Sequence, residues 1–222
     1  MKLVPWVRDY IYAAKGHGLA FLSRKPPAHY LGYIEKGRAP VVLIPGIYTK
    51  WHFLKAIADP LSNLGHPIYV VDKLGYNTKG IPDAAKLVRE LIDEKNLQNV
   101  IIIAHSKGGL VGKYLLAKYN NDSRVRKMIA VATPFGGSRL AHFIPHRSAK
   151  ELAPESEIIR ELEKEENINR LIVSVFGLFD NHVRPTLSCR LEGAKNIQIP
   201  VYGHHKILFS RETLKTVLEE IE

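Results

Sequence analysis

From about residue 40 onward, short runs rich in valine and isoleucine alternate with longer stretches in which apolar residues recur at helical spacing. The runs at 41–44, 68–72, 100–104, 127–132, 171–176 and 197–201 predict strands. Several are apolar at consecutive positions, as strands covered on both faces must be. The stretches at 51–64, 82–94, 108–119, 155–166 and 211–221 predict the intervening helices. Pro82 stands where a first-turn proline is tolerated, and Leu214, Val217, Leu218 and Ile221 make one apolar stripe on the last helix. This alternation predicts an α/β fold, a mostly parallel central sheet with helices on both faces.

Two segments fall outside the rhythm. Residues 1–38 form an N-terminal extension in which Leu3, Trp6 or Val7, Tyr10 and Ala14 recur at helical spacing beside Lys2, Arg8 and Lys15. An interfacial anchor has this pattern, and so has a helix packed on the core; the shortness of the stretch and its aspartate favour packing. Within it, Gly16-His17-Gly18 lacks the strand and third glycine of a dinucleotide turn and reads as a flexible joint. The segment 133–165 carries glycines, prolines and basic residues without a long apolar period over its first two thirds. It reads as an insertion over the carboxyl edge of the sheet, either a lid-like wall or a plain connection.

Composition narrows the class. A chain of 222 residues with 45% hydrophobic content suits one domain, 1–222, with one core. The single cysteine, Cys189, makes no internal disulfide, and no Cys/His zinc spacing exists, so no structural metal is expected. Proline, arginine and aspartate interrupt the apolar run of the first ten residues, which fits neither a signal-peptide core nor a membrane span, and a cytoplasmic protein is expected. The formal net charge of +10 would suit a polyanion, yet the basic residues are interleaved with glutamate and no nucleic-acid-reading motif accompanies them. No nucleic-acid partner is expected; a weak membrane-surface association stays open.

The chemistry is concentrated at three loops. Val100 to Val111 reads as a buried strand, a cramped turn carrying Ser106, and the start of a helix. A serine hydroxyl is a poor nucleophile at neutral pH, so it must stand clear of the backbone where an imidazole can take its proton. Ala104 stands where glycine is commoner, while Gly108 and Gly109 let the helix approach the strand. In this architecture the acid and the base follow at the ends of later strands, in that order. Asp180 follows the strand ending at Phe176, and His204 and His205 follow the last strand. His204 directly succeeds Gly203 and is taken as the base, with His205 in the pocket lining. His105 is expected to pack away from substrate, and His182 to be a loop residue. The backbone N–H groups of Lys107, after the nucleophile, and Ile47, after the turn-forming Gly46, are the expected oxyanion donors. The Lys107 side chain is expected at the pocket rim.

These residues resemble the α/β-hydrolase superfamily, and within it the small bacterial lipases whose elbow also begins with alanine. The resemblance runs from about Pro40 to the C-terminus and is densest at Ala104 to Gly109 and from Leu187 to Ile199, followed by Gly203-His204. It implies His204 as base, Asp180 as third member, and the oxyanion hole at Ile47 and Lys107. Pro45-Gly46 departs from the histidine-glycine usual there. Thr133 to Ser138 and the helix start at Glu155-Ser156 are more similar to larger lipase and acyltransferase relatives with lids.

The expected function is a serine hydrolase that cleaves carboxylic esters, lipid-like ones, through an acyl-enzyme on Ser106. An apolar pocket must admit the acyl chain, and Phe135, Leu140, Phe143, Ile144 and Leu178 are the available wall residues beside His205. An acyltransferase or thioesterase would use the same three groups, and a non-catalytic lipid-binding protein could keep the same fold. No cofactor is called for: Pro145 keeps His142 and His146 off a shared helical face, and no glutamate completes a hydrolytic zinc motif.

Overall fold

A computed structural model describes residues 3–221. The described residues form eight α-helices: α1 (Leu3–Leu22), α2 (His29–Gly32), α3 (Lys55–Asn63), α4 (Ile81–Glu94), α5 (Lys107–Lys118), α6 (Arg147–Lys150), α7 (Glu157–Glu163) and α8 (Arg211–Glu220). The strands are β1 (Val41–Ile44), β2 (Ile68–Val70), β3 (Val100–His105), β4 (Val125–Val131), β5 (Ile172–Phe179) and β6 (Lys195–Tyr202). They form one six-stranded sheet in the order β2-β1-β3-β4-β5-β6, and every pairing is parallel.

The consecutive apolar residues of the strands divide between two cores, because successive side chains of a strand face opposite ways. Val42, Ile44, Ile102, Ala104, Met128 and Ala130 face a layer that contains α4, α5 and α7. Val41, Leu43, Ile101, Ile103, Ile129, Val131 and Val175 face the opposite layer, with Leu61 of α3 and Val217 of α8. Helix α5 lies unusually close to the sheet. A Cβ on Gly108 would stand 2.2 Å from the Ile44 carbonyl oxygen, one on Gly109 2.0 Å from Thr133 Oγ1, and one on Gly112 2.3 Å from Met128 Sδ.

Boundaries follow local chemistry. Ser156 accepts the Ile159 N–H at 3.3 Å, so α7 begins at Glu157, two residues later than its periodicity predicts. Ser210 caps α8 through the Thr213 N–H at 3.0 Å. The predicted helix at 51–64 starts as a 3-10 turn, Trp51–Leu54, before α3. One departure is larger: Gly16-His17-Gly18 is not a joint but the interior of the 20-residue α1, where Gly16 lets the helix rest on the Phe53 ring. The segment 133–165 contains a 3-10 turn, Arg139–Phe143, then α6 and α7. Among the described residues, no helix is long and apolar enough to cross a membrane.

Candidate active site

Strand β3 delivers Ser106 at the carboxyl edge of the sheet, and α5 starts one residue later. Ser106 itself sits at φ 52°, ψ −125°, a region that a residue with a side chain occupies at a cost of about 1–3 kcal/mol. Neighbours enforce it. The Ser106 N–H donates to the Val131 carbonyl at 2.9 Å, and the Gly109 N–H closes the turn on the Ser106 carbonyl at 3.0 Å. On the other side, Gly46 lies so close that a Cβ there would be 3.1 Å from the Ser106 Cβ. The hydroxyl is thereby lifted out of the backbone at the positive end of α5, whose first N–H, that of Lys107, lies beyond the reach of an intrahelical acceptor.

The loop after β1 turns its peptides in a defined way. The Pro45 carbonyl accepts Asn77 Nδ2 at 2.7 Å, and the Gly46 carbonyl accepts the Thr49 hydroxyl at 2.9 Å. Because the Gly46–Ile47 peptide is trans, tying its carbonyl inward turns the Ile47 N–H to the opposite side.

Loops after β5 and β6 meet above the same edge. Asp180 directs Oδ2 to His204 Nδ1 at 2.7 Å, while its Oδ1 accepts the N–H groups of His182 at 2.7 Å and Val183 at 2.8 Å. One carboxylate oxygen is thus anchored to backbone and the other is free for the imidazole. Both side chains are buried. Burial pulls the Asp180 carboxyl up, but the charge and hydrogen bond of His204 and the two amides outweigh it and hold the acid below its ordinary value. Burial likewise disfavours a charged His204, and the Asp180 carboxylate overcomes this, so the imidazole keeps its proton above its ordinary value of 6.5. The His105 Nε2–H donates to the His204 carbonyl, 3.0 Å away, and burial pulls the His105 pKa well below its ordinary value.

A strained serine at a strand-to-helix turn, with a buried Asp–His pair at the ends of the two last strands of a parallel sheet, is an arrangement that can be compared with known families. The profile of the alpha/beta hydrolase fold matches residues 39–159, more than half of the chain. The chain belongs to the alpha/beta hydrolase fold family.

Solved structures of this fold superpose over most of the length. The mature Bacillus licheniformis lipase BlEst2 is similar at 16% identity and a TM-score of 0.67, with 86% of this chain and 95% of that one covered. A monoacylglycerol lipase of Paleococcus ferrophilus aligns at 12% identity and a TM-score of 0.62, covering 83% and 95%. An alpha/beta hydrolase from a lagoon-sediment metagenome, MGS-MChE2, aligns at 16% identity and a TM-score of 0.61, covering 85% and 91%.

In this alpha/beta hydrolase a cavity of about 720 Å³ opens beside Ser106, His182, His204 and His205. Of the pocket residues expected from sequence, Leu140, Phe143, Ile144 and His205 line it, as does Ile47. Two do not. Phe135 is buried in the core layer that contains α4, α5 and α7, and Leu178, 48% exposed near the end of β5, faces outward while its neighbour Phe179 packs on Trp6. Leu178 lies on the side of β5 opposite its neighbour Phe179, and Phe135 turns inward from the loop after β4. Lys107 is also not at the rim. Its side chain is fully buried, its Nζ bonding the carbonyls of Asn77 and Lys79 and the Ser148 hydroxyl, and burial pushes its pKa down to about 8.

The residues that sequence reasoning missed are on α1. Trp6, Tyr10, Ala13, Ala14 and His17 form one cavity wall, and Asp9 pairs with His205, Nδ1 to Oδ2 at 3.0 Å. The signal was present: Trp6, Asp9, Ala13 and Gly16 share one helical face, so the acid falls on the inner side. His182 is more than a loop residue, for its ring stacks on that of His204 at 4.8 Å and 19°. Asp9, His182 and His205 bring possible ligand atoms within 4.8 Å of one another, which is a donor set suited to a metal ion. Asp9, however, already accepts four protein donors, two of them from His205, while His182 Nε2 stands 4.0 Å from Asp9 Oδ2.

Proposed function

We propose that the chain is a serine hydrolase of carboxylic esters, lipid-like ones, working through an acyl-enzyme on Ser106. The observation that carries this reading is the 2.7 Å bond from the buried Asp180 to His204, which lines the same cavity as the elbow serine. In the mechanism, His204 Nε2 takes the Ser106 proton as Oγ attacks the ester carbonyl. The N–H groups of Ile47 and Lys107 receive the developing oxyanion, a contribution on the order of 100 to 1,000-fold in rate for each donor. His204 then gives the proton to the departing alcohol, and water, activated by the same imidazole, releases the acid. Asp180 holds the tautomer with the proton on Nδ1 and stabilises the imidazolium that forms at each transfer.

The substrate class is supported by the walls. Leu140, Ile144, Ala13 and Ala14 offer apolar surface and few polar partners, which suits an acyl chain that displaces water. The segment 133–165 supplies a lid-like wall through Leu140, Phe143, Ile144 and Leu152. A weak association with a lipid surface is consistent with Val7, Tyr10 and Ile11 on α1 and Phe143 across the mouth, all exposed. Two of the similar structures are described as lipases, one of them a monoacylglycerol lipase.

The test is labelling with a fluorophosphonate, followed by hydrolysis of nitrophenyl esters of increasing chain length. Wild type is expected to carry one adduct, on Ser106, and to prefer medium or longer acyl chains; Ser106→Ala should carry none and lose measurable turnover. A folded wild type without an adduct overturns the reading.

A further inference from the structure

Asp9 is fully buried, yet it lies on α1, a helix outside the residues that match the family profile. Its Oδ1 accepts the N–H groups of His205 at 2.7 Å and Lys206 at 2.9 Å. Its Oδ2 accepts Asn181 Nδ2 at 3.0 Å and His205 Nδ1 at 3.0 Å. Asn181 relays the contact, for its Oδ1 accepts the backbone N–H of His204 at 3.0 Å. The remaining polar backbone group of His204, its carbonyl, faces His105 Nε2 at 3.0 Å. Gly203 completes the fit: it stands at φ 123°, and a Cβ there would come within 2.6 Å of Asp9 Oδ1.

If α1 served only to cover the core, an apolar residue at position 9 would do it better. Trp6 against Phe179, Tyr12 against Phe209 and Gly16 against Phe53 already dock the helix. A carboxylate taken out of water costs several kcal/mol unless donors replace its hydration, and here four donors converge on it. All four belong to residues on either side of the His204 imidazole, from the loop after β5 and the loop after β6. An amide in place of the carboxylate would turn its own NH2 group against at least one of these donors.

We propose that Asp9 is the positioning residue of His204, fastening the two loops that carry the Asp–His pair and making α1 part of the active site. This rests on the reading of Ser106, Asp180 and His204 as the catalytic groups. Charge adds a second consequence. The groups that face His204 are Asp180 and His182 from the loop after β5, His105 from β3, its neighbour His205, and Asp9 from α1. Neutralising Asp9 removes one of the two negative charges that favour the imidazolium.

The experiment compares full-length wild type, Asp9→Asn and Asn181→Ala by melting temperature, by the rate of fluorophosphonate labelling at Ser106, and by kcat and KM on a nitrophenyl ester across pH. Loss of such supporting contacts is expected to lower kcat and the labelling rate about 10 to 100-fold, with KM changed less than about twofold. In Asp9→Asn the acid limb of kcat/KM should also move to lower pH, which a merely structural role would not produce. Asn181→Ala keeps Asp9 with its three donors from His205 and Lys206 and removes the link to the His204 N–H, so it decides the matter if Asp9→Asn does not fold. A folded variant that keeps wild-type kcat and labelling rate, or loses rate through KM alone, overturns the proposal. Wild type without an adduct overturns the catalytic reading and this inference together; wild type and folded variants labelling equally fast overturn this inference alone.

Discussion

Asp180 divides its two oxygens between backbone amides and the His204 imidazole, so its charge and its orientation are separable by substitution. Asp180→Asn keeps the shape but turns an amide toward Nδ1 or loses the loop contacts, and it removes the charge that lifts His204. The expected result is a fall in kcat on the order of 10³ to 10⁴-fold, with the acid limb of kcat/KM shifted to lower pH. In wild type that limb is expected above 6.5, because the proposed base, His204, can take a proton only when neutral and its proton is held above the ordinary value. A pH profile of ester hydrolysis checks both; an acid limb that stays put in the variant would detach Asp180 from His204. At this scale the placement of the candidate residues was legible where a residue type and a strand exit coincided, as at Ser106, Asp180 and His204. It was not legible for Lys107, whose burial depends on the carbonyls of Asn77 and Lys79 and on Ser148, residues far away in the sequence.

Elements were read most accurately where apolar runs are bounded by turns, and β1 coincides with its expected limits, 41–44, for that reason. Helix α1 was harder, because Gly16 and Gly18 look like a break until Phe53 is seen lying against Gly16. The two glycines make opposite predictions. Nothing lies within 4 Å of a Cβ on Gly18, so Gly18→Ala should stabilise α1 by up to roughly 1 kcal/mol. Gly108→Ala should do the reverse, since the added carbon meets the carbonyls of Ile44 at 2.2 Å and Pro45 at 2.7 Å. Prying α5 off β1 is expected to cost at least the roughly 1–3 kcal/mol usual for overpacking, and to displace the Ile47 loop with it. Thermal melts of the two variants measure the signs, and a stabilised Gly108→Ala would refute the close approach.

For the whole molecule, the clustering of titratable groups at one edge of the sheet sets the response to acid. Burial holds His105, His182 and His205 below 6.5, so each binds its proton more readily unfolded; stability is lost as pH falls below 6.5. His204, raised, works the other way, one group against three. Asp9 and Asp180 are held below 3.8, and their contribution is present above that value and lost as pH falls further. Melting temperature should therefore decline from pH 7 to 5 and again below about 4, followed by circular dichroism; a flat or rising profile over the first interval would contradict the buried neutral histidines. The parallel sheet was readable from alternation alone, whereas the joining of residue 9 to residues 205 and 206 was not, because no local pattern spans so much chain. That separation has a consequence for biosynthesis. Residue 9 leaves the ribosome long before residues 205 and 206, so under the proposed role of Asp9 a product that lacks either part has no fastened base, and competence comes only after synthesis has passed residue 206.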